Sequence, residues 1–449
     1  MVLSLLIYLF YFLLLILIPF FFQRKKVGYI LLVLIFTAQF NVTCLFKLGV
    51  TFSFFEVALL ITSTLIFLQQ IYRRRWKCST NNIDVIFFLF LAFSFISIGI
   101  AFLRLLFDDL RLTTEYPDIP TVRSFMSLNR SLFYLLIIPV RNYISSSLPH
   151  DVYREKFLKY LAYSGIIPSI AVILQYLSIG FIVVHNNPSY SENAFKVVSY
   201  TGIRPVGLSN EAAGHCYELF FCLMGLFYCY YQKFLSKRLF FLLYGLFCVS
   251  VILSISRTGL LFFIAYSAYA YMKHSGFSMK RIVGLLFIGC VGFLLLSNLQ
   301  IGGFNLFERL LSTADVEADA STIERYGLAH ALINLAIDKS MLWGVGIYNY
   351  FYYLKSYLPD YMYSITYERG FQLPSFNFII QLWAEFGLPL FLLFIYMIVK
   401  CIRKSKDSFV NEWFMALFLF ALSFQILNFS IPFIILLYPQ LKVQSSNGT

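Results

Sequence analysis

Three arginines stand where a side chain that only needs solvation is not expected. Arg204 lies in Thr201-Gly202-Ile203-Arg204-Pro205-Val206-Gly207-Leu208-Ser209-Asn210-Glu211, just ahead of an apolar run. Arg257 lies in Leu253-Ser254-Ile255-Ser256-Arg257-Thr258-Gly259, between two apolar runs with almost no connection. Arg325 falls in a polar stretch, on the helix-compatible run Thr322 to Ile337. A guanidinium stays charged and grips phosphate oxygens with a bidentate fork, so several of them at one face suit a pyrophosphate. Glu211 follows Arg204 by seven residues at a helix entrance, where the dipole favours a carboxylate and where a general base or an acceptor-hydroxyl ligand would also sit. His215 shares its helix face. The competing explanations are snorkelling to headgroups for the arginines, capping for Glu211 and core packing for His215.

The elements that must position these residues are membrane helices. The chain has 449 residues, 60% of them hydrophobic and 13% charged, with a mean hydropathy of +0.76, which excludes an ordinary soluble globular protein. Apolar runs of about 20 residues recur, each long enough to cross a hydrocarbon core. They lack period-two alternation, so helices are favoured over a barrel. The expected fold is an all-α polytopic membrane protein of about 12 transmembrane helices (about 11–14). The expected spans are 2–22, 27–46, 52–71, 84–103, 126–147, 157–184, 212–231, 239–254, 257–272, 282–299, 376–399 and 412–438.

The net charge of +13 raises the question of a nucleic-acid partner, but its placement answers otherwise. Basic clusters such as Arg24-Lys25-Lys26, Arg73-Arg74-Arg75 and Arg403-Lys404 follow alternate spans, which is the pattern of cytoplasmic loops. The segments 185–211 and 298–376 then fall outside, the second as a large polar loop within a single membrane domain over 1–449. Eight cysteines show no CxxC or Cys/His spacing and read as small core residues. There is no Walker A, HExxH or GxSxG sequence, and no DxD nucleotide-sugar motif on the cytoplasmic loops.

Taken in order, Arg204-Pro-Val-Gly-Leu-Ser-Asn-Glu, then Ser254-Ile-Ser-Arg257-Thr-Gly, then Arg325-Tyr-Gly-Leu-Ala-His-Ala-Leu, then Leu342-Trp-Gly344-Val-Gly346-Ile-Tyr-Asn, then Phe376-Asn377 through Glu385-Phe-Gly387-Leu, this set resembles the bacterial O-antigen polymerase and ligase superfamily, the Wzy and WaaL type. The resemblance implies a GT-C-like, metal-independent glycosyltransferase with no cofactor, multi-pass in the bacterial inner membrane. Its implied partners are an undecaprenyl-pyrophosphate-linked glycan donor and acceptor, membrane lipid and a chain-length regulator protein, with no nucleic acid. By resemblance Arg204 and Arg257 engage the donor pyrophosphate and Arg325 is a loop arginine of similar role. The expected catalytic set is Arg204 and Arg257 with Glu211, the last on position alone, and the expected substrate-binding set is Arg325, His215, His330 and Asn377. Ligases of this superfamily carry a histidine before the asparagine that matches Asn377, whereas Ser375-Phe376 stand here. The expected activity is therefore polymerisation of repeat units into O-antigen or a related surface polysaccharide. Ligation to lipid A core is the alternative, and a flippase or transporter is the reading from another class.

Overall fold

A computed structural model describes residues 2–40, 44–48, 50–73, 80–107, 128, 131–177, 182–185, 196–199, 205–209, 212–276, 278, 300–301, 304–305, 320–362, 377–405, 407–422 and 430–439. Along the chain the helices are α1 (Val2–Gln23), α2 (Val27–Ala38), α3 (Phe54–Arg73), α4 (Asn82–Phe107), α5 (Ile137–Ser147), α6 (His150–Ser164), α7 (Ile166–Tyr176), α8 (Ala212–Tyr231), α9 (Lys237–Leu253) and α10 (Arg257–Ser275). They continue with α11 (Ala320–Lys339), α12 (Tyr350–Leu354), α13 (Phe378–Phe386), α14 (Leu388–Lys404) and α15 (Ser408–Ala421). Three short antiparallel hairpins pair Cys44–Leu48 with Val50–Ser53, Ile182–His185 with Lys196–Ser199, and Gln300–Ile301 with Phe304–Asn305.

Among the described residues, five helical stretches are long and apolar enough to cross a membrane: Leu6–Gln23, Phe54–Arg73, Asn82–Arg104, His150–Tyr176 and Ala212–Tyr231. The expected span 212–231 coincides with α8, and the helix-compatible run in the polar loop is α11. Other boundaries differ for local reasons. The helix expected from residue 157 starts already at His150, behind Pro149, and a Glu155–Lys159 ion pair of 2.6 Å supports its charged turns. The run 376–399 breaks at Gly387, whose φ of 81° no helix tolerates. The last run divides into α15 and a 3-10 helix, Ile431–Leu437, with Pro432 in its first turn. The expected span 282–299 lies outside the described residues.

The chain forms two compact units, one of Met1–Trp76 with Pro139–Asp315 and the other of Lys77–Ile138 with Val316–Thr449. At the centre of the first is α8, buried from Ala212 to Cys229 and packed by α6, α9 and α10. In lipid, helices associate through close packing and small residues rather than by removing apolar surface from water. Gly225 accordingly lets α8 approach α6, where a Cβ would stand 3.2 Å from the Leu158 carbonyl oxygen and the Ala162 nitrogen. The outer helices keep large apolar side chains exposed, among them Ile16, Phe67, Phe241 and Leu242, a surface that lipid satisfies and water does not. In the second unit α4 packs on α14 through Phe90 and Phe93 against Phe394 (6.1 and 5.7 Å), and α11 packs on α13.

Candidate active site

The sequence ahead of α8 folds into a turn, Pro205–Ser209, closed by the Ser209 amide donating to the Val206 carbonyl at 3.1 Å. Gln175, at the last turn of α7, holds it. Its Oε1 accepts from the Val206 and Gly207 amides, both at 2.9 Å, and its Nε2 donates to the Gly207 carbonyl at 2.8 Å. Buried backbone groups must be paired, and one side chain here pairs three of them. Gly207 lies against the His215 ring on the first turns of α8, where a Cβ would come 2.7 Å from Nδ1.

His215 and Cys216 then tie α8 to the next motif. His215 Nε2 lies 2.7 Å from Ser250 Oγ on α9, and Cys216 Sγ lies 3.1 Å from Ser254 Oγ at that helix's end. Ile255 takes the left-handed conformation (φ 51°), reversing the chain so that Ser256 can cap α10 by accepting from the Gly259 amide at 3.3 Å, a contact worth about 1 kcal/mol. Gly259 is there because nothing larger fits: a Cβ would stand 2.3 Å from Cys216 Cβ. Thus the Pro205–Ser209 turn, the head of α8, the tail of α9 and the head of α10 meet at one end of the first unit.

Two helix N-termini at one end concentrate partial positive charge. Arg257 adds a full charge as the first residue of α10, partly exposed. This combination is chemically suited to an anion. Arg204 and Glu211, which flank the Pro205–Ser209 turn in sequence, lie outside the described residues. His215 is fully buried and couples α8 to α9.

The second unit assembles the remaining motifs. The Ser340–Asn349 turn docks on the break between α13 and α14: Val345 and Gly346 amides donate to the Ala384 and Glu385 carbonyls at 2.9 and 3.1 Å, and the Leu388 amide donates to the Ser340 carbonyl at 3.0 Å. Ser340 Oγ donates to the Ala384 carbonyl at 2.7 Å, and Ser97 Oγ of α4 donates to that of Glu385 at 2.8 Å. Gly344 sits so close that a Cβ would lie 2.0 Å from the Glu385 carbonyl oxygen. The Glu385 carboxylate is buried, accepting from Gln381 Nε2 at 2.8 Å and from the Tyr348 amide. Arg104, near the end of α4, donates to the Trp343 and Gly344 carbonyls at 2.7 and 2.9 Å and to Lys339, the last residue of α11.

Three sequence-derived candidates belong to this unit. Arg325 is partly exposed near the start of α11, and His330 is exposed with Nδ1 3.3 Å from Asn334 Nδ2. Asn377 caps α13, its Oδ1 accepting from the Ile380 amide at 3.0 Å. Gln175, Arg104, Ser97 and Ser340 were not singled out by sequence. An arginine ending an apolar run reads as a snorkelling residue, and its carbonyl partners on another element carry no sequence signal.

Residues 240–395 match the Wzy_C family, described as O-antigen ligase. This stretch runs from α9 through α13 and into α14, so it includes Arg257, Arg325, Asn377 and the docked glycine turn. The match agrees with the superfamily resemblance over this stretch and does not separate polymerase from ligase. No curated protein and no solved structure matches the chain.

Proposed function

We propose that this chain is a membrane glycosyltransferase that polymerises undecaprenyl-pyrophosphate-linked repeat units into O-antigen or a related surface polysaccharide, at the outer face of the bacterial inner membrane. The observation that carries the reading is the gathering of the Pro205–Ser209 turn, the heads of α8 and α10, and Arg257 at one end of the first unit. Arg257, with Arg204, holds the donor pyrophosphate, and Arg325 is a substrate-binding arginine of the second unit. The acceptor hydroxyl oxygen attacks the anomeric carbon, Glu211 takes its proton, and the bond from that carbon to the phosphate oxygen breaks. The electron pair leaves on the pyrophosphate, where arginines and helix ends aimed at the developing charge lower the barrier. His215 serves by tying α8 to α9 and Asn377 by capping α13, while His330 is exposed for contact with the glycan.

The choice of polymerase rests on Ser375-Phe376 ahead of Asn377, where a ligase would carry its histidine. The ligase reading draws its support from the description of the matched family. Cells lacking the protein separate the two. Loss of the polymer ladder with one repeat unit still attached to the lipid A core marks a polymerase, and loss of all attachment marks a ligase.

A further inference from the structure

Helix α8 carries a carboxylate that the proposed reaction leaves unused. Glu218 is 1% exposed, inside the stretch buried from Ala212 to Cys229, and neither of its carboxylate oxygens has a hydrogen-bond partner among the described residues. An ionised carboxylate left alone in an apolar interior costs more than a fold can offset, and an ionisable side chain at membrane depth is functional by default.

Among the described residues, the surroundings offer oxygens and no positive charge. Titratable groups within electrostatic reach of Glu218 are Tyr11 of α1 and Tyr217 and Cys222 of α8 itself, all ordinarily neutral at about pH 7. His215, three residues earlier on α8, faces Ser250 of α9. From α6 comes Ser164, which donates to the Leu161 carbonyl at 2.8 Å. Beyond the end of α2, Gln39 Nε2 donates to Ser164 Oγ and Cys222 Sγ, both at 3.0 Å, while its Oε1 is buried without a donor. The Tyr11 ring stacks on Phe40 at 4.7 Å, and its buried hydroxyl has no partner. Among the described residues, therefore, two carboxylate oxygens, an amide oxygen and a phenol gather around this part of α8 with no lysine, arginine or histidine bonded to the carboxylate.

An excess of buried acceptors calls for a positive charge. We propose that Glu218, with Tyr11 and Gln39, forms a buried site for a monovalent positive charge, held as a proton on the carboxylate or as an alkali-metal ion among the oxygens. The site lies apart from the proposed pyrophosphate chemistry and stands whether or not the chain is a polymerase.

The test uses the full-length protein in lipid nanodiscs, wild type beside Glu218→Gln. Infrared spectra read the carbonyl stretch of a protonated carboxylic acid, and thermal unfolding is followed in sodium, potassium and choline chloride at matched ionic strength. A proton site gives a carboxylic-acid band that Glu218→Gln removes. An alkali-metal site gives a wild-type melting temperature raised by sodium or potassium but not choline, a response that Glu218→Gln abolishes. If that variant fails to fold, Tyr11→Phe, which removes only a hydroxyl, must shift the acid band or weaken the ion response. A wild-type protein with neither an acid band sensitive to these substitutions nor an alkali-specific response overturns the proposal.

Discussion

His215 Nε2 lies 2.7 Å from Ser250 Oγ, and this contact fixes the first turns of α8 against the last turn of α9. Ser250→Ala leaves a buried imidazole nitrogen unpaired, which costs about 1–3 kcal/mol. The variant should therefore melt at a lower temperature than wild type by differential scanning fluorimetry in detergent. An unchanged melting temperature would mean that the pair does not hold the helices together.

Gln175 offers a sharper separation of shape from stability. Its side chain makes three hydrogen bonds to the Pro205–Ser209 turn, so Gln175→Leu frees that turn while keeping the side chain's bulk. Because misplacing a binding group by about 1 Å can cost on the order of a hundredfold in rate, elongation should fall by about tenfold or more. The helical circular dichroism should stay at the wild-type value.

How much of this was legible depended on where the physical signal lay. The α8 span could be read because an apolar run carries its own length, and α10 begins at Arg257, where the next apolar run was expected to start. The break at Gly387 was hidden, since hydropathy runs on through it and the cause is a backbone angle. The partners of Gln175 and Arg104 were equally hidden, for both bind backbone carbonyls or amides that any residue would present. Arg204 and Glu211 remain expectations from sequence.

Gly344→Ala should be among the most damaging single-methyl changes in the second unit. The added Cβ would stand 2.0 Å from the Glu385 carbonyl oxygen, which is backbone and cannot rotate away. Overpacking of this kind costs about 1–3 kcal/mol or more. Limited proteolysis should show faster cleavage in the Ser340–Asn349 turn, and wild-type resistance would contradict the close approach.

Arg104→Lys should lower stability less than Arg104→Ala and still fall short of wild type. One ammonium cannot serve the Lys339, Trp343 and Gly344 carbonyls with the geometry of a planar fork. Melting temperatures of the three proteins in one detergent check the order.

The central claim is that arginines at the head of α10 and in the Arg204 motif bind a lipid pyrophosphate whose departure drives chain growth. The most direct test is elongation by purified protein given the authentic lipid-linked repeat unit, resolved on gels, with wild type, Arg257→Ala and Arg257→Lys side by side. The account predicts a ladder of longer glycans from wild type. It predicts a loss on the order of a hundredfold or more in the folded alanine variant and poor rescue by lysine, because the bidentate fork is gone. No ladder from wild type, or a full ladder from Arg257→Ala, would contradict it.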